Sequence, residues 1–123
     1  SVIPNFLVPG IAQAVAKSKA PKAYICNVMT QRGESESFTA AEHLVALQAN
    51  VDSQIADYVV VNTGVPSQAI LDKYRGFQQE FVTPDYERLS TMGYRPVIGD
   101  FMSELDYVRH DPARLAARLI DLI

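Results

Sequence analysis

Short apolar runs alternate along the chain with segments in which apolar residues recur every three or four positions. The runs at 22–29 and 57–62 are rich in β-branched or aromatic residues and are bounded by polar turns. A weaker third run covers 95–101, and 80–82 is a short fourth candidate. Strands that are apolar throughout are typical of a parallel sheet covered on both faces. The pattern therefore predicts a mostly parallel, buried sheet.

Helical segments are predicted between these runs. The best marked begins after Thr39, because Glu42 three residues later completes a capping box that satisfies free N–H groups. The last begins at Asp111 and Pro112, a capping residue followed by proline. Three other helices are predicted. One covers 2–18, with a kink at Pro9, and a second covers about 66–75, with Pro66 in its first turn. A third covers about 84–92, with Thr83 as its N-cap and Gly93 as its end.

The order of these elements defines a fold class. The last helix has an apolar side formed by Leu115, Leu119 and Leu122, with Ile123 beside it. Strands alternating with helices imply right-handed crossovers and three layers. A length of 123 residues suits one domain and not two. The sequence thus predicts an α/β fold, a three-layer and mostly parallel sheet within a single domain over 1–123.

The polar turns that follow the strands are the predicted site. In open parallel sheets, ligands bind outside the carboxyl ends of the strands. Here the polar stretches 30–37, 63–68 and 100–111 follow predicted strands and lead into helix N-termini. Because helix N-termini favour anions through unpaired N–H groups and the macrodipole, we expect an anionic ligand at this edge.

Individual residues in these turns leave alternatives open. Thr30 and Gln31 offer hydrogen bonds at the end of a strand. Glu34 and Glu36 fit either a metal or acid–base site or a solvated loop, and no third ligand is in register with them. Arg109 fits either a bidentate phosphate contact or a surface arginine.

Composition and missing motifs exclude several functions. The net charge is −3 with no basic cluster, which argues against nucleic acid as a partner. The most apolar stretch, 2–16, is interrupted by prolines and is too short to span a membrane. A single cysteine, Cys26, cannot form an internal disulfide, so we expect a reducing compartment and a cytoplasmic location. Neither a Walker A loop nor a GxGxxG fingerprint is present.

Three stretches carry a resemblance to a known family. SVIPNFLVPGIAQAV, CNVMTQRGESESFTAAEHL and YVRHDPARLA together resemble the C-terminal part of the bacterial gluconeogenesis factor family, which is similar in fold to the 2-phospho-lactate transferase family. The resemblance implies a Rossmann-like domain of which this chain is the C-terminal portion, without the glycine-rich N-terminal portion. The missing N-terminal half, or another chain, would complete the sheet, and a homo-oligomer is a further option.

The resemblance also implies a function. It indicates a regulatory protein that binds a UDP-sugar or another nucleotide diphosphate, with roles in carbon metabolism, cell-wall synthesis and cell shape. The alternative is a 2-phospho-lactate-transferase-like enzyme that moves a phosphate-linked group from a nucleotide donor. Mg²⁺ would serve that enzyme, with Glu34 or Glu36 near the metal. No catalytic residue and no protein metal site are assigned, so enzymatic activity stays open.

Ligand-binding positions follow from the same resemblance, motif by motif. Arg32 stands where the family usually has proline, and Ser35 stands where it usually has threonine. Tyr74 falls where a nucleotide-contacting tyrosine is expected, although tyrosines at such positions more often pack than stack on a ligand. The implied ligand-binding residues are Ser1, Asn27, Thr30, Gln31, Tyr74 and Arg109.

Overall fold

The computed structural model describes residues 1–105 and 107–122 and has an α/β architecture. Asp106, inside the polar stretch 100–111, and Ile123, beside the apolar side of the last helix, lie outside the described residues. The elements in chain order are α1 (Ile3–Phe6), α2 (Ile11–Lys17), β1 (Ala23–Ile25), α3 (Ala40–Asn50), β2 (Tyr58–Asn62), α4 (Gln68–Gly76), α5 (Tyr86–Thr91), β3 (Arg95–Gly99), β4 (Met102–Glu104), β5 (Val108–His110) and α6 (Pro112–Ile120).

The main sheet is parallel, as predicted. Its strand order is β1-β2-β3, with Tyr24 opposite Val59 and Val60 opposite Val97. Strand β2 is central, and its side chains from Val59 to Asn62 are buried. A strand that is buried on both faces must be apolar throughout, which is why 57–62 reads as a continuous apolar run.

Helices cover both faces of this sheet. Val59 and Val61 pack against Leu44 of α3 and Leu89 of α5. Val60 points to the other face, where the leucines of α6 pack against it. This confirms the three-layer prediction for the described part of the chain.

Asp57 fixes the register of the strands at their amino ends. Its carboxylate accepts a hydrogen bond from the backbone N–H of Lys22 at 2.9 Å and forms an ion pair with the Lys22 ammonium at 3.1 Å. Its backbone carbonyl accepts from the N–H of Arg95 at 3.0 Å. The hydrogen bond from Lys22 holds the pKa of the Asp57 carboxyl below its usual value.

The first two helices replace the single helix predicted over 2–18. Helix α1 ends at Phe6 and α2 begins at Ile11. Gly10, at the N-cap of α2, has a φ of +90°. A left-handed residue cannot continue an α-helix, so the expected kink at Pro9 is a complete break.

Two other helix starts differ from the predictions. Helix α4 begins at Gln68 with Ser67 at the N-cap, so Pro66 precedes the helix instead of lying in its first turn. Helix α5 begins at Tyr86 with Asp85 at its N-cap position, and Thr83 is not the cap. Among the described residues no helix is long and apolar enough to cross a bilayer.

The strand boundaries also differ. Strand β1 ends at Ile25, well before the predicted end of the 22–29 run. The 80–82 candidate is only an antiparallel bridge, between Phe81 and Met29. The stretch 100–111 is largely an antiparallel hairpin, β4–β5, and not the polar loop that was expected.

Candidate functional site

A cleft of about 300 Å³ lies at the carboxyl end of the sheet. The segment after β1, the end of α4 and strand β5 form its walls. Val28, Met29 and Tyr74 form a separate apolar cluster there, which joins the three walls. The cleft is bordered by five of the predicted ligand-binding residues, Asn27, Thr30, Gln31, Tyr74 and Arg109.

Ser1 lies apart from this group. It lines a neighbouring cavity of about 110 Å³ next to α3. Asn27 and Gln31 line both spaces and so form the boundary between them. The geometry therefore brings five predicted residues to one cleft and leaves the sixth beside it.

Thr30 is a buried positioning residue in this structure. Its side chain is almost fully buried, and its hydroxyl accepts a hydrogen bond from the backbone N–H of Glu80 at 2.8 Å. Its own N–H donates to the carbonyl of Glu80 at 2.8 Å. These bonds fix the segment that carries Asn27 and Gln31.

Tyr74 has a similar structural use. The Tyr74 ring is buried, and its hydroxyl accepts a hydrogen bond from the N–H of Val108 at 3.1 Å. Strand β5 is thereby attached to the end of α4. The packing alternative considered for Tyr74 matches these contacts, and its ring still borders the cleft.

Three polar side chains on the cleft have no partner within the described residues. The amides of Asn27 and Gln31 and the guanidinium of Arg109 form no hydrogen bond or ion pair with any residue in 1–105 or 107–122. Arg109 is exposed and also borders a second shallow cavity with Ser103 and Leu105. These groups are available to a ligand.

Oxygen atoms of the chain itself accept hydrogen bonds at helix N-termini near the carboxyl ends of the strands. At α3, the hydroxyl of Thr39 accepts from the N–H of Glu42, and the carboxylate of Asp85 accepts from that of Ala41 at 2.8 Å. At α4, the carboxylate of Glu104 accepts from the N–H of Ser67 at 2.6 Å. The expectation of a terminus open to an anion is therefore wrong for α3, where the N–H groups of Ala40, Ala41 and Glu42 all donate to oxygens of the chain. At α4, the Glu104 carboxylate bonds only the N-cap residue Ser67.

Helix α6 follows the same rule. The Asp111 carboxylate accepts hydrogen bonds from the N–H groups of Ala113 and Arg114, both at 3.0 Å. This confirms Asp111 as the predicted N-cap. Because the N-termini of α3 and α6 are capped by the chain's own oxygens, the Arg109 guanidinium beside the cleft is a candidate for attracting an anion there.

Glu34 and Glu36 do not converge on one point. Glu34 lines the cavity beside α3, whereas Glu36 lines a different space, which Thr30 also borders. Within the described residues, no group of three His, Cys, Asp or Glu side chains could hold a metal. The described residues therefore form no Mg²⁺ site by themselves, and Mg²⁺ would need ligands from outside them.

Cys26 is unsuited to act as a nucleophile. It is buried at the end of β1, and burial, with a smaller contribution from Asp85, raises the pKa of its thiol to about 12. A thiol with that pKa stays protonated near neutral pH. The backbone carbonyl of Cys26 lies 3.2 Å from Nε2 of His110, so this region serves to hold β5 against β1.

Two exposed aromatic residues on the cleft were missed by the sequence analysis. Phe77 and Tyr107 are 50% and 47% exposed, and both border the cleft. The ring of Tyr107 lies under the ammonium of Lys73 at 3.9 Å and edge-on to Tyr74. Exposed flat rings beside polar groups are suited to stacking on a base. Exposure is not visible in a local sequence pattern.

The fold and the cleft together define the class of protein: a Rossmann-like α/β fold with a cleft at the carboxyl ends of its strands. The model of the family described as "2-phospho-L-lactate transferase CofD" matches residues 1–102. The chain belongs to this CofD family. The predicted resemblance is confirmed at this level, including the kinship with gluconeogenesis factors.

Individual relatives give the same result. The chain is 40% identical over 124 aligned residues to a putative gluconeogenesis factor of Aquifex aeolicus, with 100% of this chain and 38% of the relative covered. It is 38% identical to the gluconeogenesis factor of Bacillus subtilis, covering 100% of this chain and 39% of the relative. The chain therefore spans well under half the length of these relatives.

A solved structure shares the fold closely. A member of the UPF0052 family from Bacillus halodurans superimposes with a TM-score of 0.94 at 37% sequence identity. The match covers 98% of this chain and 39% of that structure. The coverage fits the prediction that this chain is part of a larger domain.

Proposed function

We propose that this chain supplies part of a binding site for a nucleotide sugar, specifically a UDP-sugar, in a regulatory protein. The observation that carries the proposal is the meeting of Asn27, Gln31 and Arg109 on one cleft, with polar groups that no described residue uses. Such groups are unfavourable to desolvate unless a ligand pairs with them.

The cleft offers distinct contacts to the parts of such a ligand. The guanidinium of Arg109 is suited to a diphosphate, because its planar donors pair with two oxygens at once. Phe77 and Tyr107 offer apolar faces to a base. Asn27 and Gln31 offer donors and acceptors to the ribose or the sugar.

The proposed regulatory role is based on the names of the relatives. The relatives are named gluconeogenesis factors, which supports a role in carbon metabolism. We extend the role to cell-wall synthesis and cell shape, because a UDP-sugar is a precursor of polysaccharides. A cytoplasmic location belongs to the same proposal and is supported by the buried free thiol of Cys26.

Isothermal titration of the full-length protein with UDP-N-acetylglucosamine and with UDP tests the binding proposal. We expect saturable heat with both ligands and competition between them. An absence of heat together with an absence of competition at millimolar ligand would contradict it. CMP-linked and GDP-linked sugars serve as controls for base selectivity.

A second candidate is a transferase that moves a phosphate-linked group from a nucleotide donor. It is favoured by the description of the matching family as a 2-phospho-L-lactate transferase. In such a reaction a hydroxyl of the acceptor would attack the phosphorus that carries the transferred group, and the phosphoanhydride bond to the nucleotide would break with release of the nucleoside monophosphate. Product formation from a nucleotide-activated phospholactate donor, a small or flavin-like acceptor that carries a hydroxyl, and Mg²⁺ would establish it. The absence of product with every donor and acceptor would reject it.

The rest of the binding site would come from outside the described chain. We propose that this chain is the C-terminal portion of a larger domain and that an N-terminal glycine-rich portion, or a second copy, completes its sheet. Strand β1 lies at one edge of the sheet with no partner beyond it in the described residues, which supports this proposal.

A further inference from the structure

The 110 Å³ cavity beside α3, called here the His43 cavity, is a second feature of the same edge. Its wall includes Tyr24 of β1, Phe38 and His43, and it meets the cleft at Asn27 and Gln31. One water molecule needs a cavity of roughly 10–15 Å³, so a cavity of this volume has room for a group of several heavy atoms.

His43 carries an unused hydrogen-bonding atom on this wall. The residue is 8% exposed, and its Nδ1 lies 2.8 Å from the carbonyl oxygen of Thr39. A carbonyl only accepts, so Nδ1 holds the proton and Nε2 of the neutral ring is an acceptor. Within the described residues, Nε2 of His43 is the buried side-chain polar atom that lacks a partner.

The unpaired atom calls for a ligand because of its environment. A buried acceptor without a partner is destabilising, by an amount comparable to a lost hydrogen bond. The ring is also held firmly: Nδ1 bonds the helix backbone, and Phe38 packs edge-on at 5.5 Å between ring centroids. Nε2 is therefore presented in a fixed place.

The side chains that line the cavity favour an uncharged ligand group. Glu34 carries the charged side chain, a carboxylate that the amino group of Ser1 approaches at 3.2 Å. The other polar side chains of the lining, such as those of Tyr24, Asn27 and Ser35, are uncharged. An uncharged group that donates hydrogen bonds fits both the carboxylate and the free acceptor. Hydroxyl and amide N–H groups on a saturated ring have this chemistry.

We propose that the His43 cavity takes the sugar of the bound nucleotide sugar, with a sugar hydroxyl or amide N–H donating to Nε2 of His43. The inference rests on the proposed function, because the cleft with Arg109 must hold the diphosphate. Asn27 and Gln31 line both spaces, so the cleft and the cavity adjoin at these two side chains. His43 thereby distinguishes a nucleotide sugar from the bare nucleotide.

The test compares two substitutions at His43 in the full-length protein, with UDP and UDP-N-acetylglucosamine as titrants. In His43→Asn, the side-chain amide reaches the position of Nδ1, so the bond to Thr39 is kept and the acceptor at Nε2 is lost. In His43→Gln, the amide reaches the position of Nε2 and restores an acceptor. Thermal unfolding of both variants verifies that they fold.

We expect His43→Asn to weaken UDP-N-acetylglucosamine binding by about 3- to 10-fold and UDP binding by less than about 2-fold. His43→Gln should recover most of the loss. Equal effects on the two ligands, or none on either, would overturn the inference and leave the nucleotide site intact. A wild-type protein that binds neither ligand would overturn the proposed function as well.

A measurement on the wild type keeps the inference testable if His43→Asn does not fold. The ¹⁵N resonance of Nε2 in His43 should move on addition of UDP-N-acetylglucosamine, because an accepted hydrogen bond changes its shielding. The same resonance should stay in place with UDP. A shift with both ligands, or with neither, would contradict a sugar bound at His43.

Discussion

Two sets of polar groups lie near the carboxyl ends of the strands. One set has hydrogen-bond partners within the chain, and the other has none among the described residues. The backbone N–H groups at the N-termini of α3 and α6 donate hydrogen bonds to side-chain oxygens of Thr39, Asp85 and Asp111. The side chains of Asn27, Gln31 and Arg109 border the cleft at the same end of the sheet. They form no hydrogen bond or ion pair with the described residues.

The first set contributes to the stability of the fold, whereas the second set is available for binding a ligand. A capped terminus contributes to folding and has little left to offer an anion. An exposed and unpaired guanidinium contributes little to folding and retains all its donors for a ligand. Topology alone predicted that the N–H groups at the start of α3 would be open to an anion, which is wrong because topology does not show whether those groups already have partners. That a ligand binds at this end of the sheet stays a prediction.

Arg109→Ala should give the largest effect on binding. Loss of a charge-assisted contact with the diphosphate should cost about 1.5–3 kcal/mol, or about 10- to 150-fold in Kd, measured by titration with UDP-N-acetylglucosamine. Unfolding by urea should change by less than about 0.5 kcal/mol. Arg118→Ala, which removes an exposed arginine of α6 paired with Asp121, is the matched control and should bind normally.

Neighbouring residues Thr30 and Gln31 should behave in opposite ways. Thr30→Val removes the acceptor for the N–H of Glu80 and should lower the free energy of unfolding by about 1–3 kcal/mol. Gln31→Ala should leave stability unchanged and weaken ligand binding by about 2- to 10-fold. Urea unfolding and titration on both variants provide the comparison, and equal stability losses would remove the distinction between the two residues.

Thr39→Ala should affect stability alone. Removing this N-cap should lower the free energy of unfolding by about 1 kcal/mol, with Kd within about 2-fold of the wild type. Thr83→Ala is the control, because Thr83 is exposed and does not cap α5. A marked loss of affinity in Thr39→Ala would mean that the α3 terminus takes part in binding after all.

Asp57 gives the smallest predicted effect and a pH dependence. Its pKa is lowered by Lys22, so its contribution to stability is present above the unfolded-state pKa of about 3.9 and is lost as pH falls through the lower folded-state pKa. Asp57→Asn should cost up to about 1 kcal/mol at pH 7, after allowance for solvent screening. The difference in unfolding free energy between the two proteins, measured with urea, should shrink as the pH falls through the folded-state pKa of Asp57. A difference that stays constant would contradict the assignment.

Local signals in the sequence predicted the elements that depend on local contacts. The capping box at Thr39 and Glu42 and the cap at Asp111 involve residues close in sequence, and both are present. The apolar run around Val59 marks the central strand for the same reason, since burial on both faces requires apolar side chains in succession.

The features that were missed depend on distant residues. The β4–β5 hairpin has strands of three residues with no strong alternation, and Glu104 and Val108 attach it to α4 at Ser67 and Tyr74. Asp85 caps α3 from 44 residues away. No short window of sequence contains both partners, so neither contact could be predicted from pattern.

The candidate site divides in the same way. The end of a buried run pointed to Gln31, and the position just before a helix pointed to Arg109. Asn27 came from the family resemblance. The free acceptor of His43 could not be foreseen, because a histidine within a helix most often faces solvent or bonds another element. Its significance depends on the cavity that forms between α3 and β1.

A crystal structure of the full-length protein with UDP-N-acetylglucosamine bound would test the proposed binding site most directly. We expect diphosphate oxygens within about 3.2 Å of the Arg109 guanidinium, between the segment bearing Asn27 and Gln31 and strand β5. A nucleotide bound elsewhere, with Arg109 pointing into solvent and the side chains of Asn27 and Gln31 free of contact, would contradict it.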